Sequence, residues 1–149
     1  MPTLTINGKE VTVAPGTNLI EAARAAGVEV PHYCYHPGLS IAGQCRLCMV
    51  DIEKTPRPTI ACNTVAADGM VVSTETPRVL ETRKSIMEFH LINHPLDCPV
   101  CDQAGECWLQ DYSYKFGYAE SRMVDQKLKN PKKDVGPKTL LYQDRCVMC

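Results

Sequence analysis

The sequence predicts an α+β fold: a small mixed β-sheet with one helix across it, followed by a short and mainly helical part. Two observations lead to this prediction. Short stretches of alternating polar and apolar residues, separated by Asn-Gly, Pro-Gly and Asp-Gly turns, indicate β-strands in the first half of the chain. Stretches with apolar residues at helical spacing begin at Asn18 and at Thr76.

The strands are predicted from alternation and from turn residues. Residues 3–6 and 10–13 alternate on either side of Asn7-Gly8, which is the strongest short signal for a β-hairpin. Later apolar stretches are short and are bounded by proline, glycine or aspartate, which favour turns. Further short strands are predicted over residues 28–30, 49–52, 59–62 and 70–73.

Two helices in the first two thirds of the chain are predicted from capping signals. Asn18 and Glu21 have the spacing of a capping box, and Gly27 stands where a left-handed C-cap belongs, so a short helix lies between them. A longer helix is predicted to start after Thr76, where proline occupies the first helical position, and to end near Asn93.

Cysteine is frequent in this chain, with nine among 149 residues. The first residues contain no basic stretch leading into an apolar one, as a secretory leader would, so we expect a cytosolic chain. In that compartment clustered cysteines hold metal more often than they form disulfides, and the odd number also disfavours a closed disulfide framework. The clustered cysteines are therefore interpreted as metal ligands.

The first motif contains Cys34, Cys45, Cys48 and Cys62, with gaps of ten, two and thirteen residues. A two-iron, two-sulfide cluster needs four thiolates, and its negative charge favours backbone N–H groups turned toward the sulfurs. A C-x2-C turn preceded by small residues lets the backbone come close to such a cluster. Plant-type ferredoxins have a shorter first gap, so the match to them is partial, and zinc or buried free thiols remain competing interpretations.

A second motif, H-x3-C-x2-C-x5-C, contains His94, Cys98, Cys101 and Cys107. Prolines and a glycine between these residues bend the backbone, as a loop around a compact metal centre requires. The residues alone leave a zinc site and an iron–sulfur cluster equally open, because three cysteines and one histidine are a common structural zinc set. His90 lies one helical turn before His94 and is the alternative histidine ligand.

Two further histidines, His32 and His36, flank Cys34 and are interpreted as neighbours of the first site or as solvent-facing residues rather than as ligands.

The last third of the chain is predicted to contain one helix and a polar linker. The helix covers residues 106–116 and carries apolar and aromatic side chains that can shield a metal centre from water: Trp108, Leu109, Tyr112 and Phe116. Residues 117–138 are polar and contain five lysines and several helix breakers, so they are interpreted as a linker. Cys146 and Cys149 begin a further C-x2-C pair.

Composition excludes several classes of function. Sixteen basic and seventeen acidic residues give a net charge of −1, which argues against nucleic acid as a partner. The glycine-rich phosphate-binding motifs are absent from the sequence, as is any apolar stretch of the roughly 18 residues that a membrane span needs. Association with a membrane is therefore expected only through partner proteins. The expected function is electron transfer rather than nucleotide binding.

The stretches SIAGQCRLCMV and HPLDCPVCDQAGEC are similar to the N-terminal part of one family, and the similarity extends over essentially all 149 residues. The family is the large iron–sulfur subunit of NADH:quinone oxidoreductase, respiratory complex I. The resemblance implies a [2Fe-2S] cluster on Cys34, Cys45, Cys48 and Cys62. It implies a [4Fe-4S] cluster with one histidine ligand on His94, Cys98, Cys101 and Cys107.

The resemblance also implies a domain organisation. It divides the chain into a β-grasp, ferredoxin-like [2Fe-2S] domain over residues 1–77, a His(Cys)3-ligated [4Fe-4S] domain over residues 78–117, and a linker with the start of an incomplete third cluster motif over residues 118–149. Since only Cys146 and Cys149 of that third motif are present, the chain is expected to be a fragment that binds no third cluster unless another polypeptide supplies ligands.

The function implied by the resemblance is a one-electron relay from NADH and flavin toward quinone, as one component of a larger oxidoreductase. These residues would contain no catalytic residue and no substrate site. The partners would be the other subunits of the hydrophilic arm, including the NADH/FMN-binding subunit, on the cytoplasmic face of the membrane. The same pair of motifs occurs in iron hydrogenases, formate dehydrogenases and NAD-linked hydrogenases, which are the close alternative. A zinc-stapled interaction module is the alternative of a different class.

Overall fold

The computed structural model describes residues 1–147, so Met148 and Cys149, the second cysteine of the final pair, lie outside the described residues. The chain divides into two compact units, one formed by residues 1–83 and the other beginning at Lys84. Strands and helices occur in an α+β arrangement, which confirms the predicted fold class. No helix among residues 1–147 has both the length and the apolar character needed to cross a bilayer.

The first unit contains a five-stranded mixed sheet in the order β2-β1-β5-β3-β4. Its strands are β1 (Thr3–Ile6), β2 (Lys9–Thr12), β3 (Met49–Ile52), β4 (Thr59–Ile60) and β5 (Val71–Ser73). Strands β1 and β5 are parallel, and the other neighbours are antiparallel. The predicted hairpin is present, with Asn7 and Gly8 both left-handed (φ +48° and +79°), as a tight two-residue turn requires.

Helix α1 (Leu19–Ala25) has the predicted caps. The side chain of Asn18 accepts a hydrogen bond from the amide of Glu21 at 3.0 Å, and Gly27 is left-handed with φ +69°. The amide of Val28 donates to the carbonyl of Ala23 at 2.8 Å, which closes the end of the helix. Leu19 and Ile20 enter the core at the start of this helix.

Two strand predictions were wrong. Residues 28–30 form no strand, because the backbone of Val28 is used to close helix α1. The predicted strand over residues 59–62 is shorter than expected, since β4 ends at Ile60 and Ala61–Asn63 forms a 3-10 turn. Cys62 therefore lies in a turn rather than in a strand.

The core of the first unit contains two of the candidate ligands. Apolar side chains from β1, α1, β3 and β5 pack together, and Cys48 and Cys62 belong to this buried cluster. Its aliphatic members include Leu4, Ile6, Leu19, Ile20, Val50 and Val72. The first cysteine motif is thus built partly into the hydrophobic core.

Helix α2 (Pro77–Leu91) begins at a Thr76 cap, whose hydroxyl oxygen accepts from the amide of Val79 at 3.2 Å. The second unit begins within α2 and contains α3 (Trp108–Phe116) and a hairpin formed by β6 (Lys133–Gly136) and β7 (Thr139–Leu141). The sequence did not predict this hairpin. Among residues 84–147, Met87 and Leu109 are the buried hydrophobic side chains, so apolar packing is sparse there.

Candidate metal centres

The first cysteine motif is assembled from three segments. Cys34 lies in the loop after α1, Cys45 and Cys48 occupy the turn that leads into β3, and Cys62 lies in the 3-10 turn after β4. The amide of Ala61 donates to the carbonyl of Cys48 at 2.9 Å and joins the last two segments. Burial raises the pKa of Cys62 and negative charge on Cys34 or Cys45 raises it further, so these thiols lie close enough to interact electrostatically.

Backbone N–H groups in the first loop point at sulfur. The amide of Tyr33 donates to Sγ of Cys45, and the amide of Cys45 donates to Sγ of Cys34, each at 3.4 Å. Arg46 is left-handed (φ +60°) inside the C-x2-C turn, and the amide of Leu47 also points at the sulfur of Cys45. Amides turned inward in this way stabilise negative charge on sulfur.

Gly43 allows the first loop to close. Its φ is +60°, and a Cβ at this position would lie 3.3 Å from Cδ1 of Ile60. Because Ile60 directly precedes the turn of Cys62, the missing side chain lets the loop that carries Cys45 approach the segment that carries Cys62.

Burial controls the ionisation of these thiols. It raises the pKa of Cys48 to about 12, and it also raises the pKa of Cys45 and of Cys62. Burial opposes ionisation of Cys34 too, but hydrogen bonds from the backbone of Cys45 and Gln44 outweigh it and lower the pKa of Cys34. Three buried thiols become thiolates only if a cation compensates their charge, as the irons of a cluster do. The donor set therefore fits a [2Fe-2S] cluster.

The two histidines next to Cys34 make local contacts instead. Nδ1 of His32 lies 2.7 Å from the carbonyl oxygen of Val30, and Nδ1 of His36 accepts from the amide of Gly38 at 3.1 Å.

The second motif is a series of tight turns. Cys98 opens the 3-10 turn Cys98–Val100, and Cys101 follows it with its amide donating to the carbonyl of Cys98 at 3.2 Å. Gly105 is left-handed with φ +87°. Cys107 is the N-cap of α3. Each cysteine is therefore placed by a turn or a helix start.

The four donors of the second motif line one cavity of about 180 Å³, together with apolar side chains such as Leu91 and Leu109. The donors are His94, Cys98, Cys101 and Cys107. A four-iron cluster takes one protein ligand at each iron, so its donors must surround a cavity rather than converge on a point. Within residues 1–147, no three His, Cys, Asp or Glu side chains are arranged to hold a single metal ion.

His94 is suited to bind metal at this cavity. Its Nδ1 atom is buried and has no hydrogen-bond partner among residues 1–147. Burial lowers the pKa of His94, the nearby charges of Lys127 and Arg145 lower it further, and Asp97 opposes them. The imidazole is therefore neutral at pH 7 and has a free lone pair. These features, with the three thiols, fit a His(Cys)3 [4Fe-4S] site.

His90, the alternative ligand, does not line the 180 Å³ cavity; it lines a second groove, which His94 and Cys146 also line. Cys146 is exposed. The shielding predicted for Trp108 is absent, because this side chain is 60% exposed, whereas Leu109 from the same helix is buried at the cavity.

Several residues of the second site were missed by sequence reasoning because they come from the last third of the chain, where no ligand-supporting role was expected. Arg145 lines the cavity and pairs with Asp97 at 3.0 Å, just before Cys98. Nζ of Lys127 donates to the carbonyl of Leu91 at 2.6 Å, at the end of α2. No local pattern marks these contacts, since each joins residues more than thirty positions apart.

Comparison with known protein families gives two matches. Residues 1–77 match a family described as a 2Fe-2S iron–sulfur cluster binding domain. Residues 83–122 match a family described as the NADH-ubiquinone oxidoreductase-G iron–sulfur binding region.

Curated relatives are similar over nearly the whole chain. An NADH-quinone oxidoreductase subunit from Rickettsia bellii (strain RML369-C) is 46% identical over 98% of this chain and 21% of its own length. The mitochondrial 78 kDa subunit of NADH-ubiquinone oxidoreductase from Neurospora crassa is 47% identical over 98% of this chain and 20% of its own length. The chain thus spans about a fifth of the length of these relatives.

A solved structure is also similar. A chain from an NAD+-reducing [NiFe]-hydrogenase, in the H2-reduced state, superposes with a TM-score of 0.88 at 29% sequence identity. The match covers 99% of this chain and 62% of the hydrogenase chain.

Proposed function

Because the chain belongs to the 2Fe-2S iron–sulfur cluster binding domain family and corresponds to the N-terminal region of the large iron–sulfur subunit of NADH-quinone oxidoreductase, we propose that it relays single electrons between two iron–sulfur clusters. The observation that carries this proposal is the presence of two separate sets of four donors. One set is built partly into an apolar core, through Cys48 and Cys62, and the other surrounds a cavity.

The proposal assigns a ligand set to each cluster and a boundary to each domain. The [2Fe-2S] ligands are Cys34, Cys45, Cys48 and Cys62. The [4Fe-4S] ligands are His94, Cys98, Cys101 and Cys107. The corresponding domains are residues 1–77 and 78–117, and residues 118–149 contain a linker and the further cysteine pair Cys146 and Cys149.

Bound iron–sulfur clusters would supply one-electron chemistry at both positions. The chain's own residues prepare the sites for it. In the first, inward amides stabilise negative charge on the thiolates, and the apolar surround keeps water away once the irons are present. In the second, the neutral imidazole of His94 replaces a thiolate, which reduces the negative charge and favours the reduced state.

We further infer that the partners are subunits of an NADH:quinone oxidoreductase, including the one that binds NADH and FMN, and that the chain is peripheral on the cytoplasmic face of the membrane. Support comes from the names of the relatives and from exposed apolar side chains on both ligand loops. These are Leu39 and Ile41 in the first loop and Leu96 and Val100 in the second. Electrons would pass from NADH through flavin to this chain and on toward quinone.

A hydrogenase is the second candidate parent enzyme. The specific observation in its favour is the similarity to the NAD+-reducing hydrogenase over 99% of this chain. The relay proposed here is the same in both parents, and the electron donor and acceptor differ.

Metal analysis of the anaerobically purified chain tests the proposal. We expect about six irons per chain with matching acid-labile sulfide, and electron paramagnetic resonance signals of a two-iron and a four-iron cluster after reduction. A colourless protein that contains zinc and no sulfide would instead establish the zinc-binding interaction module and refute the proposed electron relay.

A ligand variant with a matched control tests the assignment of the first site. Cys48→Ala should abolish the two-iron signal and leave the four-iron signal. Ser40→Ala removes one atom from an exposed side chain in the same loop and should leave both signals. Retention of the two-iron signal in Cys48→Ala would contradict the assignment.

A further inference from the structure

Arg83 is the one buried charged side chain among residues 1–147, with 2% of its surface exposed. It lies on α2 between Val79 and Met87, which are also buried, at intervals of four residues. A helical stripe of this kind is ordinarily apolar, and burying a charge is costly unless an opposite charge or hydrogen bonds compensate it. A specific interaction must therefore compensate for the burial of this guanidinium.

The guanidinium is hydrogen-bonded to the backbone of the residue next to a candidate cluster ligand. Nη2 of Arg83 donates to the carbonyl oxygen of Met49 at 2.8 Å. Met49 is the residue after Cys48, and it begins strand β3. The hydrogen bond therefore holds the positive charge at the end of the C-x2-C turn.

The electrostatics of Arg83 and Cys48 are linked. Burial lowers the pKa of Arg83 to about 10, and the negative charges of Cys48 and of Glu75 act in the opposite direction. The guanidinium is protonated at pH 7 in spite of its burial. A fixed positive charge thus lies beside the turn that carries Cys48, in a part of the molecule that water does not screen.

We propose that Arg83 is the counter-charge of the first cluster site and raises its reduction potential. This inference rests on the proposed [2Fe-2S] cluster at Cys34, Cys45, Cys48 and Cys62. Reduction adds one electron to a site that is already negative, and it consumes no proton. A cation held nearby in a region of low dielectric stabilises the more negative state more than the less negative one.

Redox titration of the full, cluster-loaded chain tests the proposal with three variants. Arg83→Gln removes the charge, Arg83→Lys keeps it, and Lys84→Gln removes a charge from the next residue of the same helix. Titration with dithionite, followed by the two-iron electron paramagnetic resonance signal, gives the midpoint potential of each. Iron and sulfide analysis shows separately whether each variant contains the cluster.

We expect the ratio of reduced to oxidised two-iron cluster to fall at least about tenfold at fixed potential in Arg83→Gln, which is a shift of about 59 mV for one electron. Arg83→Lys should shift by less than half as much, and Lys84→Gln should match the original chain. If Arg83→Gln fails to load the cluster but Arg83→Lys loads it, the charge is needed to gather the thiolates, which supports Arg83 as the counter-charge of the site.

Three results would overturn the role of Arg83. The first is an unchanged potential in a cluster-loaded Arg83→Gln chain. The second is an equal shift in Arg83→Lys and Arg83→Gln, and the third is failure of both variants to load, because the side chain would then act through its shape. Absence of iron and sulfide from the original chain would refute the proposed function itself, so the two failures are distinguishable.

Discussion

The two ligand loops differ in what surrounds their thiols. In the first unit, Cys34 is partly exposed, but Cys45, Cys48 and Cys62 are 4%, 1% and 1% exposed, and the last two belong to the apolar core. In the second unit, Cys98 and Cys101 are both partly exposed, as is Cys107. The first site is therefore part of a folded core, whereas the second is a set of turns around a cavity.

Because of this difference, the two units are stabilised by different interactions. Full burial of a large aliphatic side chain contributes about 1.5–3 kcal/mol, and the first core contains many such side chains. The second unit relies on polar contacts such as Lys127 to Leu91 and Arg145 to Asp97. A hydrogen bond contributes only about 0.5–1.5 kcal/mol, and an exposed ion pair contributes little. We infer that cluster binding contributes a larger share of the folding free energy in the second unit.

Removal of iron should have the largest effect and should separate the two units. In a chain stripped of iron by a chelator under anaerobic conditions, amide protection over residues 98–107 should fall at least about a hundredfold, because these turns lose the ligands that organise them. Amides of β1 and β5 should change by less than about tenfold. Hydrogen exchange with mass spectrometry measures both regions in one sample. Equal loss of protection in both regions would show that the apolar core does not stabilise the first unit independently.

Replacement of His94 should affect one cluster only. His94→Ala should eliminate the four-iron signal and leave the two-iron signal, since the other three donors cannot complete the set. His90→Ala, which replaces the histidine one helical turn earlier, is the matched control and should retain both signals. If His90→Ala rather than His94→Ala loses the four-iron signal, the ligand assignment at this cavity is wrong.

Replacement of His94 by cysteine tests how the imidazole affects the reduction potential of the four-iron cluster. His94→Cys restores four donors but adds a negative charge, so its four-iron cluster should have a lower potential, with at least about a tenfold smaller reduced fraction at fixed potential, or about 59 mV. An unchanged or higher potential would contradict the electrostatic role of the imidazole.

The sequence predicted those elements whose signals are local. The turn at Asn7-Gly8 and the capping pair Asn18 and Glu21 each depend on residues within a few positions, and both are present in the structure. Residues 28–30 were predicted as a strand because they are a short, largely apolar stretch next to Pro31, but the amide of Val28 is used to close α1. Propensity was outweighed there by a helix-ending hydrogen bond.

Features that depend on distant residues were not predictable in the same way. Nothing in the sequence singles out Arg83, since charged residues are rarely buried and its contact with Met49 spans thirty-four positions. The last third of the chain, where only a polar linker was expected after α3, contains β6 and β7 and supplies Arg145 to the second cavity. Spacing identified the candidate ligands, but the residues that adjust the charge around them required the structure.

The smallest expected effect concerns an ion pair between β3 and the start of α2. The carboxylate of Asp51, whose side chain is 13% exposed, accepts hydrogen bonds from Nη2 of Arg78 at 2.6 Å and from the hydroxyl of Thr76. Burial raises the pKa of Asp51, but these bonds outweigh it and lower the pKa overall. At pH 7, Asp51→Asn should reduce the free energy of unfolding by about 1 kcal/mol, as measured by urea denaturation.

The effect of Asp51→Asn on the free energy of unfolding should depend on pH. A carboxyl whose pKa is lowered by folding stabilises the protein above its unfolded pKa of about 3.9, and this contribution disappears as the pH falls through the folded value. The difference between the original chain and Asp51→Asn should therefore be constant well above the unfolded pKa and should disappear once the pH falls below the lowered pKa of the folded carboxyl. Because acid releases sulfide from clusters, the comparison uses the iron-free chain, in which the first unit is expected to remain folded. A difference that persists at the lowest pH would mean that Asp51 acts through hydrogen bonds that do not depend on its charge.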